Sequence, residues 1–141
     1  MAIAAGIGLF LALIALENAK IAGYMMCRAY WRQYGFKAIS LMPTNLYGTG
    51  DNFDLKGSHV LPALIRKFHE ARLGGDASVE IWGSGSPLRE FLYVDDAAEG
   101  IVRAAERIEE PTPINLGTGC EITIRALVEL VAQACGFAGA I

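Results

Sequence analysis

A chain of 141 residues with 53% apolar and 19% charged side chains can bury a sizeable core and is not intrinsically disordered. Its net charge of -3 gives no electrostatic reason to expect a nucleic-acid partner. Three cysteines, Cys27, Cys120 and Cys135, are odd in number and lack CxxC spacing, so they read as buried thiols in a reducing compartment.

Residues 2–16 are fifteen consecutive apolar or glycine residues, ended by Glu17. The run falls short of the roughly 20 residues a membrane span needs. It also lacks the basic flank and the small-x-small site of a secretory signal. Its readings, in order, are a non-native or displaced N-terminal sequence, a signal or anchor segment, and an ordinary buried helix. Residues 1–16 are therefore an unassigned leader, and 17–141 the structured part. Residues 17–34 suit a helix stopped by Gly35, with Ala19, Gly23 and Cys27 as a small-residue stripe that would let another helix approach. Residues 37–42 read as a buried strand ended by Pro43. A polar loop with Gly48, Gly50, Asp51 and Asn52 leads to Ser58, the expected cap of a helix over 59–73. Gly74-Gly75 stops that helix, and Pro62 is tolerated in its first turn. A strand over 79–82, a turn over 83–87 and a strand over 89–94 follow. A helix then opens on Asp95-Asp96 and carries Arg103 and Arg107 towards its end, which suits its dipole at both ends. Residues 113–116 form a strand running into Gly117-Thr118-Gly119. The last helix starts near Thr123 and sets Ile124, Leu127, Val128 and Val131 on one face.

Strands alternating with helices imply an α/β fold with parallel pairing. A doubly wound sheet begins with a βαβ unit carrying a Gly-rich phosphate turn and an acidic residue about 20 positions later. Nothing before Lys20 supplies one, and Gly117-Thr118-Gly119 reads as a plain strand-to-loop turn. The expected architecture is the C-terminal part of a doubly wound, Rossmann-like parallel sheet plus a small substrate-binding α/β region, with the N-terminal nucleotide-binding units missing. The apolar excess fits either a membrane segment or a core whose other half is absent.

Lys20-Ile21-Ala22-Gly23-Tyr24, Pro43-Thr44-Asn45-Leu46-Tyr47-Gly48, Gly57-Ser58-His59 and Trp82-Gly83-Ser84-Gly85 through Arg89-Glu90-Phe91-Leu92 occur in one order with one spacing. In that series the chain resembles the C-terminal half of the GDP-L-fucose synthase family, a branch of the extended short-chain dehydrogenase/reductases, from about residue 19 to 136. Taken alone each motif has a plain reading: Lys20 a solvated lysine, Pro43-Thr44-Asn45 a turn, His59 a helix cap, Trp82 a core residue, Arg89 a surface cation.

The resemblance gives them roles. Lys20 matches the lysine that binds the nicotinamide ribose and assists a catalytic tyrosine one helical turn earlier; here that earlier position is Leu16, which has no proton to give. Pro43, Thr44, Asn45 and Leu46 match the loop beside the nicotinamide, with Lys20 and His59 completing the cofactor side. His59 matches the second acid/base group, since an imidazole donates and accepts protons at physiological pH. Its partner cysteine upstream has no counterpart. Lys67 stands where relatives commonly carry arginine; with Trp82 and Arg89 it would bind the GDP-sugar, an indole covering a planar face and a guanidinium gripping diphosphate. No metal site is expected, and Asp95 and Asp96 read as a helix start.

The implied activity is NADP(H)-dependent epimerisation at two carbons beside a ketone, followed by its reduction, converting GDP-4-keto-6-deoxy-D-mannose to GDP-L-fucose. The expected partners are that GDP-sugar and a second copy docked through the helix carrying Lys20; the expected location is cytoplasmic, without a membrane. With Leu16 in the tyrosine position and no dinucleotide fingerprint, the chain reads as an inactive fragment. The alternatives are another nucleotide-sugar epimerase or dehydratase of the extended family, or a non-catalytic module tethered to a membrane by its leader.

Overall fold

In the computed structural model the described residues are 2–55 and 57–141, with residues 2–17 described by their backbone alone. The Leu16 side chain and those of the apolar leader therefore lie outside the described residues. The chain divides into two compact units, Met1–Met42 with Ile101–Asn115, and Pro43–Gly100 with Leu116–Ile141.

The first unit is built on a helix, α1, over Ala2–Tyr34. It runs through Glu17 instead of starting there. Leu16, Glu17, Ala19 and Lys20 are all good helix formers, and no proline or glycine interrupts them. It stops where the sequence predicts: Gly35 turns left-handed at φ 64° and its N–H donates to Trp31 O at 3.0 Å. The next strand, β1, covers Leu41–Pro43, not 37–42. Its partner β4 is only Ile114–Leu116. Ile114 N–H donates to Ser40 O, and the residue before it, Pro113, has no N–H with which to extend the ladder. Residues upstream of Ser40 are accordingly coil, with Lys37 paired to Glu109 across the surface. Pro43 closes β1 from inside the strand.

The second unit holds the core. Strands β2 (Asn45–Tyr47), β3 (Leu88–Tyr93) and β5 (Glu121–Thr123) form one sheet in the order β2-β3-β5. β2 runs parallel to β3, with Leu46 opposite Leu92, and helix α2 (Val60–Gly74) lies between them in sequence. That βαβ unit in a mixed sheet is a partial Rossmann-like fold. β3 and β5 are antiparallel, with Arg89 opposite Ile122 and Glu90 opposite Glu121. Leu61, Leu64, Phe68 and Ala71 of α2 pack with Leu127, Val128, Val131 and Ala132 of α4 (Ile124–Cys135), and Tyr47, Phe91 and Ile122 of the sheet pack against them. Leu92 is buried outside this cluster, on the opposite face, as strand alternation requires. The remaining helix, α3 (Val94–Arg107), starts on Asp95 and Asp96 and has Arg107 in its last turn.

Two expectations for this unit change. Residues 79–82 form no strand: Ser78 bridges Ala140 and Val79 N–H donates to Ala140 O at 2.9 Å, after which no ladder continues among the described residues. A single short partner at the chain's end cannot pair four residues. Asn45 and Leu46, read as part of a loop, instead join Tyr47 in a strand, because β3 offers them a parallel edge.

The turn before β3 is fastened to α4. Gly85 O accepts from Arg125 N–H at 2.9 Å and Pro87 O from Ile124 N–H at 3.0 Å, while Thr123 Oγ1 accepts from Ala126 N–H at 3.1 Å. The first amides of the helix, which have no intrahelical acceptor, are thereby satisfied. Gly85 sits at φ 70°, and a Cβ there would lie 3.0 Å from Arg125 Cβ, so the close approach needs glycine. Among the described residues, no helix is long and apolar enough to cross a membrane.

Candidate functional site

Lys20 lies on α1 in the first unit, exposed to solvent. The other proposed site residues belong to the second unit. His59 is the residue preceding α2, with φ -69° and ψ 165°, and its side chain makes no capping bond. Ser58, the expected cap, does not perform that role: its N–H is held by Asp54 O at 2.8 Å and its hydroxyl is buried without a partner. At the N-cap the His59 carbonyl accepts the first intrahelical bond, from Ala63 N–H, and the exposed imidazole makes no bond to the helix end.

Lys67 and Trp82 face one cavity. Both line a largely apolar cavity of about 360 Å³ whose other walls include Leu55, Val60, Ala63 and Ile124. The ammonium of Lys67 donates to Glu80 O, which sets it at the cavity wall. Trp82 is 87% exposed, so it is no core residue ending a strand. An exposed indole beside an anchored ammonium on an apolar floor can cover a flat ring and attract a negative group. Arg89 is exposed on β3 with its guanidinium donating to Leu88 O at 2.7 Å; neither it nor His59 lines this cavity. On α2, next to Lys67 in sequence, Arg66 is tied to Glu70 at 2.7 Å and to Phe53 O at 3.1 Å. The Glu70 carboxylate holds the Arg66 guanidinium even more firmly charged than usual.

Pro43 ends β1, and Asn45 and Leu46 begin β2. Thr44, between them, donates its N–H to Leu116 O at 3.0 Å, while its hydroxyl is buried without a partner. Asn45 Nδ2 donates to Glu90 O at 2.9 Å, so this segment is clamped to β3 as well as to β4.

The Gly117-Thr118-Gly119 turn proves to be an anion holder, but the anion is internal. Glu90 Oε1 accepts from Gly119 N–H at 2.6 Å and from Thr118 Oγ1 at 3.1 Å. The plain-turn reading thus stands against a phosphate-binding one. Glu90 is the residue that reading by motif missed. Its signal was an acidic side chain inside a strand, together with a glycine turn whose amides needed an acceptor.

The sequence over residues 17–117 matches the model of the NAD dependent epimerase/dehydratase family. The chain is 55% identical over 121 residues to GDP-L-fucose synthase 1 of Arabidopsis thaliana, an alignment covering 86% of this chain and 38% of that protein. Among solved structures, a GDP-D-glycero-L-gluco-heptose synthase from Campylobacter jejuni, crystallised in the presence of NADPH, superposes with a TM-score of 0.77 at 37% identity, over 87% of this chain and 47% of that one. A GDP-L-fucose synthetase from Naegleria fowleri bound to NADP gives 0.74 at 33% identity, over 83% of this chain and 38% of that one. The chain thus spans less than half the length of each protein it resembles here.

Proposed function

The chain belongs to the NAD dependent epimerase/dehydratase family, and we propose that it is the substrate-side part of a GDP-L-fucose synthase. In that reading residues 1–16 are a leader, and 17–141 form a partial nucleotide-sugar epimerase domain. The carrying observation is the cavity lined by both Lys67 and Trp82, in a chain 55% identical over 121 residues to a GDP-L-fucose synthase. Trp82 would cover the nucleotide or sugar face, Lys67 would attract a phosphate as a point charge, and Arg89 would offer a bidentate fork. His59, its imidazole uncommitted, would move protons at the carbons beside the ketone.

The complete enzyme would use NADP(H), which supplies the hydride. For the nicotinamide end, the orphaned Thr44 hydroxyl would gain a hydrogen-bond partner, with Pro43, Asn45 and Leu46 forming the wall and His59 beside them; Lys20 keeps the ribose-binding role that the resemblance gives it. The Gly117-Thr118-Gly119 turn is filled by Glu90.

Leu16 in place of the tyrosine removes the proton donor for the reduced ketone, so turnover by this chain alone should be lost. One missing acid–base group typically costs about 10²–10⁴-fold. Calorimetry on the purified chain tests the assignment: GDP should bind weakly and NADPH not measurably, and Arg89→Ala should weaken GDP more than Lys67→Ala. NADPH binding tighter than GDP would refute this division of the site. A second reading, a reductase for a different GDP-sugar, is favoured by the likeness to the heptose synthase; a GDP-heptose that displaces GDP-mannose from the chain would select it. Self-association through α1 completes the proposal. Light scattering should report a dimer that Met26→Glu dissociates, and a monomer in both would remove it.

A further inference from the structure

We infer that Glu90 is the positioning residue of this site: its carboxylate, seated in the 117–119 turn, holds that turn against Thr44 and so fixes the 43–46 edge. Four observations converge. Oε1 takes two donors from the turn, Gly119 N–H at 2.6 Å and Thr118 Oγ1 at 3.1 Å, and the same Thr118 hydroxyl accepts from Cys120 N–H at 3.2 Å. A Cβ on Gly117 would lie 2.4 Å from Glu90 Oε1 and 2.8 Å from Thr44 Cγ2, so the turn is closed on the carboxylate and on Thr44 together. The main chain of Glu90 receives Asn45 Nδ2, and Thr44 N–H reaches Leu116 O beside the turn. Finally, Glu90 stands directly opposite Glu121 across the antiparallel ladder. Like charges in that relation are unfavourable, so the sheet gives no reason for a carboxylate here; the donors of the turn do.

Only the meaning of the 43–46 edge as a cofactor wall rests on the proposed function; the clasp stands on these contacts alone. The test is amide hydrogen exchange and nitrogen-resolved NMR on the full chain. In Glu90→Ala the Gly119 amide should exchange roughly tenfold faster or more, and Thr44 should lose protection with it, because a charge-assisted bond is gone. Excess formate should restore both in the variant and leave the wild-type chain unchanged. Glu90→Gln keeps the shape with a neutral acceptor, so its Gly119 amide resonance should move upfield even if the alanine variant does not fold. Gly119 exchange equal in wild type and Glu90→Ala, or a Gly119 resonance unmoved in Glu90→Gln, would overturn the proposal. GDP titration of the same samples separates the two readings: a wild-type chain that ignores GDP refutes the proposed function and leaves the exchange result to judge Glu90.

Discussion

Helices α1 and α2 are both rich in large apolar side chains, yet they meet different fates. On α2, Phe68 is fully buried and Leu64 is 6% exposed; on α1, Ile21, Met26 and Tyr34 are 59%, 60% and 65% exposed. The difference is one of partners and not of composition. The apolar residues of α2 at 61, 64, 68 and 71 share one face, and α4 and the sheet cover it. Those of α1 at 21, 25, 26, 30 and 34 are spread around the helix, and its described ring contacts are local, Tyr30 with Tyr34 and Arg28 over Tyr24. A helix apolar all round belongs in a buried setting. Hydrophobic content thus tells how much surface needs covering, and the arrangement of neighbours tells whether it is covered.

The largest test of this contrast is truncation in the packed half. Phe68→Ala should cost about 3–5 kcal/mol, whereas Tyr30→Ala should stay within about 0.5 kcal/mol, both measured by denaturant unfolding. Equal losses would mean that α1 is packed after all. Hydrogen exchange should give the next largest difference: amides of α2 and α4 should open with the global transition, and those of residues 18–34 roughly a hundredfold faster. Protection of α1 that rises with protein concentration would sharpen the comparison by showing that a second copy covers it.

Within the packed unit the effects are smaller and depend on individual polar atoms. Thr123→Ala removes the side-chain oxygen that caps α4 and should cost about 1 kcal/mol. Ser58→Ala should be neutral or slightly stabilising, since its buried hydroxyl has no partner to lose. A cost above about 1 kcal/mol there would reveal a partner for that oxygen.

Much of this was legible in the residues themselves. The Gly35 and Gly75 stops, the Asp95-Asp96 helix start and the apolar face of α4 follow from local rules, because a helix end or a stripe is specified by its own neighbours. The short strands were less legible. Whether 45–47 or 79–82 pairs depends on an edge supplied from far along the chain, and only 45–47 finds a full one. At the candidate site, Lys67 and Trp82 were already singled out from the residues, but the seat of Glu90 was not. It joins positions 28 and 29 residues apart, and no local pattern encodes that. Ser58 misled as well: it stands one residue before the N-cap, and its hydroxyl makes no bond to the helix.

The fastening of the 83–87 turn onto α4 bears on how Trp82 could work. An aromatic on a loose loop must surrender backbone freedom when it grips a ligand, about 1–2 kcal/mol for each residue that becomes ordered. Here the residues that follow the indole are already held by Arg125 N–H, Ile124 N–H and the Arg125 guanidinium on Ser84 O at 3.2 Å. The ring stands in water on a stem already fixed in place, so most of the ordering cost has been met during folding. What remains to be lost on contact is the rotation of two side-chain bonds, and a flat ligand would meet a surface that is waiting for it.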